Sequence, residues 1–276
     1  MKYIIITGGS GGIGSQITRV LLRANYHVIV IGRSQNNFDL MAVRLINNQN
    51  LSFYKLDISD NNSVNTFYND LNKIDGDIFA LINAAGIQSP IGKFINSDYN
   101  DWIINLSNNF LGTVNMIRGF LFNSNNKSQR KIINFSGGGS TSSRPNFSAY
   151  AVSKTAIVKF TEILADEIAD QNIDINAIAP GAVNTNMLDE VLAAKSLAGE
   201  EYALATKRKK SGGVSPKKAI DLCQFLLSED ANGVTGKLIS AIWDDYKDPN
   251  FLARLKTDPE FCCLRRIDSH NFDIVK

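Results

Sequence analysis

The run Thr7-Gly8-Gly9-Ser10-Gly11-Gly12-Ile13-Gly14 determines how the first part of the chain folds. It follows the apolar, strand-like stretch Tyr3 to Ile6 and leads into a segment with helical periodicity. In that context a glycine-rich turn lets the backbone approach a pyrophosphate, which the N-terminus of the following helix attracts. The run therefore predicts a phosphate-binding turn between a strand and a helix.

A second feature lies more than a hundred residues downstream, where Tyr150 and Lys154 stand four residues apart in Y-A-V-S-K. On a helix this spacing puts both side chains on one face, about 5–6 Å apart at Cβ. A useful acid/base role at neutral pH needs a fall of roughly three units in the tyrosine pKa, or about 4 kcal/mol. One cation about 4 Å away supplies roughly that energy at an effective dielectric of about 20. We therefore expect Lys154 to lower the pKa of Tyr150, unless the two are merely exposed neighbours.

Composition bounds the classes of protein that fit. The chain has 276 residues, of which 44% are hydrophobic and 20% charged, enough for one large domain with a sizeable core. A net charge of +2 gives no reason to expect nucleic acid or an anionic membrane as a partner, so a small molecule is expected. Cys223, Cys262 and Cys263 cannot all pair and no Cys/His cluster has metal spacing, so a cytoplasmic, metal-free protein is expected. Only a short apolar run precedes Thr7, too few residues for a signal or spanning helix.

Seven short runs rich in β-branched residues alternate with longer stretches of helical periodicity. Parallel neighbours need helical crossovers, so this alternation predicts an α/β fold: a single doubly wound Rossmann-type domain, whose seven-stranded parallel sheet has helices on both faces. The predicted strands are Tyr3 to Thr7, His27 to Ile31, Ser52 to Leu56, Ile78 to Ile82, Lys131 to Phe135, Ile173 to Ile178 and Lys237 to Ala241. The predicted helices are Ile13 to Ala24, Ser63 to Ile74, Asp101 to Phe122, Ala149 to Asp170 and Pro216 to Leu227.

The dinucleotide-binding domain is predicted to span residues 1–245, with a substrate lid at about 184–214. That segment interrupts the rhythm with a short apolar helix, Met187 to Ala194, and then the basic run Lys207 to Lys210. Insertions beyond the carboxyl end of a late strand are where open α/β folds place lids. The basic run is either a solvated charge cluster or a grip for a substrate phosphate. Residues 246–276 form a predicted C-terminal extension, packed on the same domain or on a neighbouring subunit.

The glycine spacing T-G-x-x-x-G-I-G, combined with the later Y-x-x-x-K, resembles the short-chain dehydrogenase/reductase family, classical type. The resemblance covers Lys2 to about Gly236. It implies an NAD(P)-dependent oxidoreductase that moves hydride between a nicotinamide and a carbonyl/secondary alcohol pair. In that role Tyr150 moves the proton, and Lys154 is its electrostatic partner and a ligand of the ribose. A glycine turn that serves packing alone is the alternative.

Further family motifs follow in order along the chain. Asp57-Ile58 is similar to the adenine-contacting pair after the third strand, and Asn83-Ala84-Ala85-Gly86 resembles N-N-A-G with one asparagine changed to Ala84. Residues 180–185 resemble P-G-x-V-x-T, which in the family meets the nicotinamide amide and the diphosphate. The resemblance implies that the cofactor is bound by Gly8, Ser10, Gly12, Ile13, Gly14, Arg33, Asp57, Ile58, Asn83, Ala84, Gly86, Tyr150, Lys154, Pro180, Gly181, Val183 and Thr185.

Asn109 in N-N-F-L-G-T is similar to the family's catalytic asparagine, whose backbone carbonyl holds a water that links the lysine to solvent. A mid-helix asparagine pointing at solvent is the alternative, and the adjacent Asn108 competes for the assignment.

The group that polarises the substrate carbonyl departs from the family pattern. Relatives place a serine thirteen residues before the tyrosine, and that position is Gly137 here. We predict Ser136 in this role first and Ser140 second, with a backbone N–H as a further option. Serines that only solvate the loop are the alternative. Gly137 also motivates a different class of function, a catalytically silent protein that senses NADP.

Cofactor choice depends on the end of the second strand. An acidic residue about 20 positions beyond the glycines binds the ribose hydroxyls of NAD, whereas a nearby arginine accommodates the 2′-phosphate of NADP. The acidic position is Gly32 here and Arg33 follows it. The sequence therefore predicts NADP, with NAD as the alternative.

Substrate and assembly are expected from the resemblance alone. The S-G-G-G loop and the ending I-S-A-I-W-D-D resemble bacterial members linked to cell-surface carbohydrate synthesis, which suggests a sugar or nucleotide sugar. A reductase of the 3-oxoacyl-acyl-carrier-protein type is the alternative. Family members pair through the two long helices, so we expect a homodimer or homotetramer. Their apolar residues fit either the core or an interface: Ile103, Leu106, Phe110, Ile157, Phe160 and Leu164.

Overall fold

A computed structural model describes residues 1–45, 48–122 and 128–267. Its centre is a seven-stranded sheet in which every pair of neighbouring strands is parallel. Its strands are β1 Lys2–Thr7, β2 His27–Gly32, β3 Leu51–Lys55, β4 Asp77–Asn83, β5 Arg130–Phe135, β6 Ile173–Ala179 and β7 Leu238–Ser240. The order is β3-β2-β1-β4-β5-β6-β7, which confirms the doubly wound Rossmann-type α/β fold. All seven predicted strands are confirmed, with ends shifted by no more than one residue.

The five inner strands of the sheet are buried on both faces, as parallel strands between two layers of helices must be. Ile4, Ile5 and Ile6 of β1 are all fully buried. Because side chains alternate along a strand, Ile4 and Ile6 pack into one core cluster and Ile5 packs into the other. The uninterrupted apolar run of β1 is explained by this double burial.

Helices cover both faces of the sheet. They are α1 Gly12–Arg23, α2 Gln35–Arg44, α3 Asn61–Leu71, α4 Tyr99–Leu106, α5 Gly112–Phe122, α6 Ser148–Glu167, α7 Asn186–Ala194, α8 Glu200–Ser211, α9 Lys217–Leu227 and α10 Pro249–Thr257. Buried residues of α1, α9 and α10 pack in the cluster with Ile4, whereas those of α3, α5 and α6 pack in the cluster with Ile5. The two layers therefore lie on opposite faces, as predicted.

Several helices differ from the prediction. The predicted helix Asp101 to Phe122 is two helices, α4 and α5, joined by a π-helical turn at Ser107–Leu111. α2, α8 and α10 were not predicted, and α8 includes the basic run.

The described part of the C-terminal extension packs on the same chain. Tyr246 and Leu255 are buried in the core cluster that contains Ile4. The Lys237 ammonium donates to the backbone carbonyl of Asp258 at 2.7 Å. Residues 268–276 of the predicted extension lie outside the described residues.

Candidate active site

The carboxyl ends of all seven strands meet at one edge of the sheet, and the strand order reverses between β1 and β4. Ligands bind at such an edge in open α/β sheets. A cavity of about 430 Å³ lies there, and we call it the nucleotide cavity. Most residues predicted to bind the cofactor line it: Gly8, Ser10, Gly12, Ile13, Gly14, Arg33, Asp57, Ile58, Ala84, Gly86, Tyr150, Lys154, Pro180 and Thr185.

The glycine turn is shaped by close backbone approach. Gly8 has φ +67°, and a Cβ there would lie 2.8 Å from the Ala85 Cα. A Cβ on Gly14 would lie 2.3 Å from the Gly8 carbonyl oxygen. The N-cap of α1 is Gly11, which offers no side chain to the first N–H groups of the helix, and the first turn has no acidic residue. No side chain of the N-cap and no acidic residue of the first turn competes for these N–H donors, so they are available to an anion. The turn therefore fits the diphosphate of a dinucleotide.

Three residues predicted to bind the cofactor do not line the nucleotide cavity. Asn83 is buried in the sheet, where its Nδ2 donates to Asn134 Oδ1 at 2.9 Å. Gly181 and Val183 line a second cavity instead. The prediction that these side chains or loops contact the cofactor stays a prediction.

The second cavity, of about 610 Å³, lies beside the first, and we call it the substrate cavity. Its wall combines the loop after β5, the helices α7 and α8 and the segment after β7. Tyr150, Ile13, Pro180, Thr185 and Met187 line both cavities. The Tyr150 side chain therefore lies where the nucleotide and substrate cavities meet.

Burial governs the protonation of the central pair. Tyr150 and Lys154 are 6% and 3% exposed. The Lys154 Nζ donates to the Phe135 carbonyl at 2.8 Å and lies 5.7 Å from the centre of the Tyr150 ring. Burial lowers the pKa of Lys154 to about 8. Burial also raises the pKa of Tyr150, against a lowering by Arg144.

In the chain alone the net shift of the Tyr150 pKa is therefore upward, and the lowering expected from Lys154 together with a bound cofactor stays a prediction. The desolvation of the buried phenol outweighs the lowering of its pKa by Arg144, and the nearby carboxylates of Glu190 and Glu201 raise the pKa further.

Asn109 lies within the π-helical turn, fully buried. Its Oδ1 accepts from the Ile87 N–H at 2.8 Å, and its Nδ2 donates to the Ile87 carbonyl at 2.9 Å and to Ser153 Oγ at 3.1 Å. The Asn109 backbone carbonyl accepts from Thr113 Oγ1 at 2.8 Å. An extra residue in a helix often marks a functional site, and here it points Asn109 into the protein rather than at solvent.

Ser136, Gly137 and Ser140 occupy different parts of the site. Ser136 lines the nucleotide cavity with Tyr150 and Lys154, and its buried Oγ has no hydrogen-bond partner among residues that the structure describes. Ser140 lines the substrate cavity. A Cβ on Gly137 would lie 2.2 Å from the Tyr150 hydroxyl oxygen. The absence of a side chain at 137 thus gives the Tyr150 hydroxyl its space.

Sequence reasoning missed four polar residues of this region. Arg144 forms a two-pronged ion pair with Glu201 of α8, with N–O distances of 2.6 and 2.7 Å, and its guanidinium stacks 3.9 Å from the centre of the Phe147 ring. Glu190 of α7 accepts from the Gln88 N–H at 3.3 Å. Of the four, only Gln88 had a sequence signal, since it directly follows N-A-A-G-I.

The basic side chains of residues 207–210 lie on α8 and have different surroundings. Lys209 pairs with Asp189 at 2.6 Å on the surface, whereas Arg208 lines the substrate cavity. Arg208 forms no ion pair with any residue in the described ranges.

Comparison with known proteins agrees with this geometry. The family model described as short chain dehydrogenase matches residues 2–196. The chain belongs to the short-chain dehydrogenase/reductase family. It is an NAD(P)-dependent oxidoreductase of the classical type. In residues 1–45, 48–122 and 128–267 we find no helix with the length and apolar character needed to cross a membrane.

Relatives within this family extend beyond the matched segment. An uncharacterized oxidoreductase, YxbG of Bacillus subtilis (strain 168), is 31% identical over 87% of this chain and 89% of its own. The 3-oxoacyl-(acyl-carrier-protein) reductase FabG of Aquifex aeolicus (strain VF5) is 28% identical over 86% of this chain and 94% of its own. A solved structure of ElxO with NADP bound is 29% identical, with a TM-score of 0.75 over 87% of this chain and 96% of that one.

Proposed function

We propose that this oxidoreductase is an NADPH-dependent carbonyl reductase. The observation that carries the proposal is the place of Tyr150, in the wall shared by the nucleotide and substrate cavities. A proton donor at that junction reaches the carbonyl oxygen of a substrate whose carbon faces the nicotinamide.

Each polar residue has one role in this proposal. When bound, NADPH supplies the hydride. Tyr150 donates its phenolic proton to the carbonyl oxygen as the alcohol forms. Ser136, whose buried hydroxyl lacks a partner in the described part of the chain, donates a hydrogen bond to the same oxygen. Lys154 holds the cofactor ribose, and Asn109 positions the backbone at Ile87.

The protonation state of Tyr150 suits the reductive direction. Because burial raises that pKa, the phenol keeps its proton at neutral pH. A protonated phenol is the acid that reduction requires, whereas oxidation of an alcohol requires the phenolate as a base. The proposal therefore favours reduction at neutral pH.

The cofactor preference rests on the wall after β2. Arg33, Ser34 and Asn37 line the nucleotide cavity there, and none of these three residues carries a carboxylate. Arg33 Nη1 lies 3.4 Å from Asn108 Oδ1, which holds its guanidinium at the cavity rim. An arginine in this place accommodates a 2′-phosphate, and the bound NADP of ElxO supports the preference. We expect Arg33→Ala to raise the KM for NADPH roughly tenfold and to leave the KM for NADH within about twofold, measured side by side.

The function is tested by following NADPH absorbance with a panel of ketones. We expect Tyr150→Phe to lose at least a thousandfold in kcat while still binding NADPH, since the proton donor is gone. Ser136→Ala should lose about a hundredfold, the usual effect of one oxyanion donor, with Ser140→Ala within about threefold as the matched control. NADPH binding without consumption across the panel would instead support the cofactor-sensing alternative.

A sugar or nucleotide-sugar ketone is a second candidate within this reaction. Trp243 lines the substrate cavity and is 87% exposed, and the Arg208 guanidinium on the same wall has no ion-pair partner among the described side chains. An exposed aromatic face and a cation suit a ring that carries a phosphate. The 3-oxoacyl type remains the other candidate, supported by the likeness to FabG. A nucleotide-sugar ketone that is reduced by the wild type but poorly by Trp243→Ala would favour the first.

Assembly and location complete the proposal. We propose a homodimer or homotetramer through the faces of α4 and α6, where apolar side chains such as Ile104 and Ile163 are exposed. We also propose a cytoplasmic location, because Cys223, Cys262 and Cys263 are all free thiols in the described residues. Cell fractionation with a tagged protein tests the location.

A further inference from the structure

Gln88 carries a buried amide with no partner. Its residue is 4% exposed, and its Nε2 has no hydrogen-bond partner within residues 1–45, 48–122 and 128–267. Gln88 lines the substrate cavity that Tyr150 also lines. Gln88 therefore combines a place in the wall of this cavity with a buried amide N–H group that nothing in the described chain binds.

The backbone around Gln88, by contrast, is hydrogen-bonded to the side chains of three other residues. The Ile87 N–H and carbonyl bind the Asn109 amide at 2.8 and 2.9 Å. Asn105 Nδ2 donates to the Ser89 carbonyl at 2.6 Å, and the Gln88 N–H donates to Glu190 at 3.3 Å. Two helices and the predicted lid thus fix this segment, and none of these bonds uses the Gln88 side chain.

A buried donor that lacks a partner destabilises a folded chain, so such groups in proteins usually await a ligand or a water. A structural role through polar contacts is excluded for an amide that makes none in the described chain. We propose that Gln88 is a specificity residue whose Nε2 donates to a second oxygen of the substrate. This inference rests on the proposed carbonyl reduction and names its substrate class: ketones with a keto, ester, hydroxyl or carboxylate oxygen near the reacting carbonyl.

The test compares pairs of ketones in which one member carries an ester group near the reacting carbonyl and the other carries methylene groups in its place. Ethyl 3-oxobutanoate is paired with 2-heptanone, and ethyl pyruvate with 2-hexanone, because the members of each pair have chains of equal length. NADPH-dependent kcat/KM is measured for wild type, for Gln88→Leu and for Gln224→Leu, an exposed glutamine of α9 that serves as the control. Gln88→Met repeats the measurement with a flexible side chain. Thermal unfolding of each variant is recorded in parallel.

We expect wild type and Gln224→Leu to prefer the oxygenated member of a pair, and Gln88→Leu and Gln88→Met to lose that preference roughly tenfold. The Tm of Gln88→Leu should equal or exceed that of wild type, because an unpartnered buried donor is removed. An unchanged preference in both Gln88 variants, or an equal loss on both members of each pair, overturns the inference while the reductase proposal stands. Failure of wild type to reduce any of the four ketones, while a nucleotide-sugar ketone is reduced, overturns this inference alone. Failure to reduce any of these ketones with bound NADPH overturns the reductase proposal and this inference with it.

Discussion

At the scale of single residues, two buried groups at the centre of the site, Tyr150 and Lys154, lose their protons in different pH ranges. Burial lowers the pKa of Lys154 to about 8 from an ordinary value of 10.5, and raises that of Tyr150. As pH rises through about 8 the ammonium loses its proton while the phenol keeps its own.

We therefore expect kcat/KM for ketone reduction to be level below pH about 8 and to fall above it, because the Lys154 charge is lost. Lys154→Arg should move the falling limb to higher pH, since a guanidinium stays charged. A rate profile from pH about 6 to 10 checks this, and a limb at the same pH in Lys154→Arg would contradict it.

The lowered pKa of Lys154 also determines how the free energy of unfolding depends on pH. The folded pKa of Lys154 lies below the unfolded value, so the unfolded chain binds more protons between pH about 8 and 10.5. Within that window the contribution of Lys154 to the free energy of unfolding rises with pH.

Restoring the family's serine at position 137 is expected to harm this enzyme. A Cβ there would lie 2.2 Å from the Tyr150 hydroxyl oxygen, so the buried ring would have to move. We expect Gly137→Ser to lower kcat/KM at least tenfold, with Gly138→Ser, where a Cβ meets only the Arg144 side chain at 3.6 Å, as the control. A gain in activity for Gly137→Ser would show that a lost serine, rather than the space for Tyr150, explains the glycine.

Some site residues could be predicted from the sequence and others could not, for a physical reason. The glycine turn and the Tyr150–Lys154 pair can be recognised because the residues of each lie within a few positions of one another in the sequence. Arg144 and Glu201 are 57 residues apart, and Gln88 and Glu190 are 102 apart. Only the fold brings such pairs together, so no local pattern indicates them.

At the scale of elements, the predicted strands were confirmed because buried parallel strands are apolar runs bounded by turns. α8 was missed because it buries only Ala205, which leaves no apolar stripe to detect. α10 was missed although Asp248 caps it by accepting from the Asn250 and Phe251 N–H groups, with Pro249 in its first turn. The π-helical turn was missed because one extra residue in a helix changes no residue type.

α8 is held over the substrate cavity by the ion pair between Arg144 and Glu201. Their side chains are 15% and 24% exposed, so the paired hydrogen bonds are partly shielded from water. We expect Glu201→Gln to lower the free energy of unfolding by about 1–2 kcal/mol, measured by urea denaturation. The change also removes a carboxylate that raises the pKa of Tyr150, so that pKa should fall.

The control is the second ion pair of the predicted lid. Lys209 and Asp189 are 55% and 56% exposed, so water and salt screen their attraction. Asp189→Asn should change the free energy of unfolding by no more than about 0.5 kcal/mol. Equal effects of the two substitutions would show that the Arg144–Glu201 pair has no special part in holding α8.

At the scale of the whole molecule, the alternation of strands and helices predicts the sheet and its two helical layers. It does not predict which face of each helix is buried in the chain and which is exposed. Of the apolar residues on the two long predicted helices, Ile157 and Leu164 are buried within the chain, whereas Ile103 is 37% exposed. Helical periodicity places all three on apolar faces, but it does not predict whether the sheet or a second subunit packs against those faces.

The exposed set defines where a second copy is expected to bind. Ile104 on α4, Leu111 in the π-helical turn and Ile163 on α6 are 49%, 46% and 48% exposed. We expect light scattering to report a dimer or tetramer for wild type, and a smaller mass for the double variant Leu111→Glu and Ile163→Glu, because charges at such an interface lose their water. Leu40→Glu on α2, where Leu40 is 57% exposed on the opposite layer, should keep the wild-type mass. A monomeric wild type at working concentration would contradict the assembly, and an undiminished mass for the double variant would place the interface on another face.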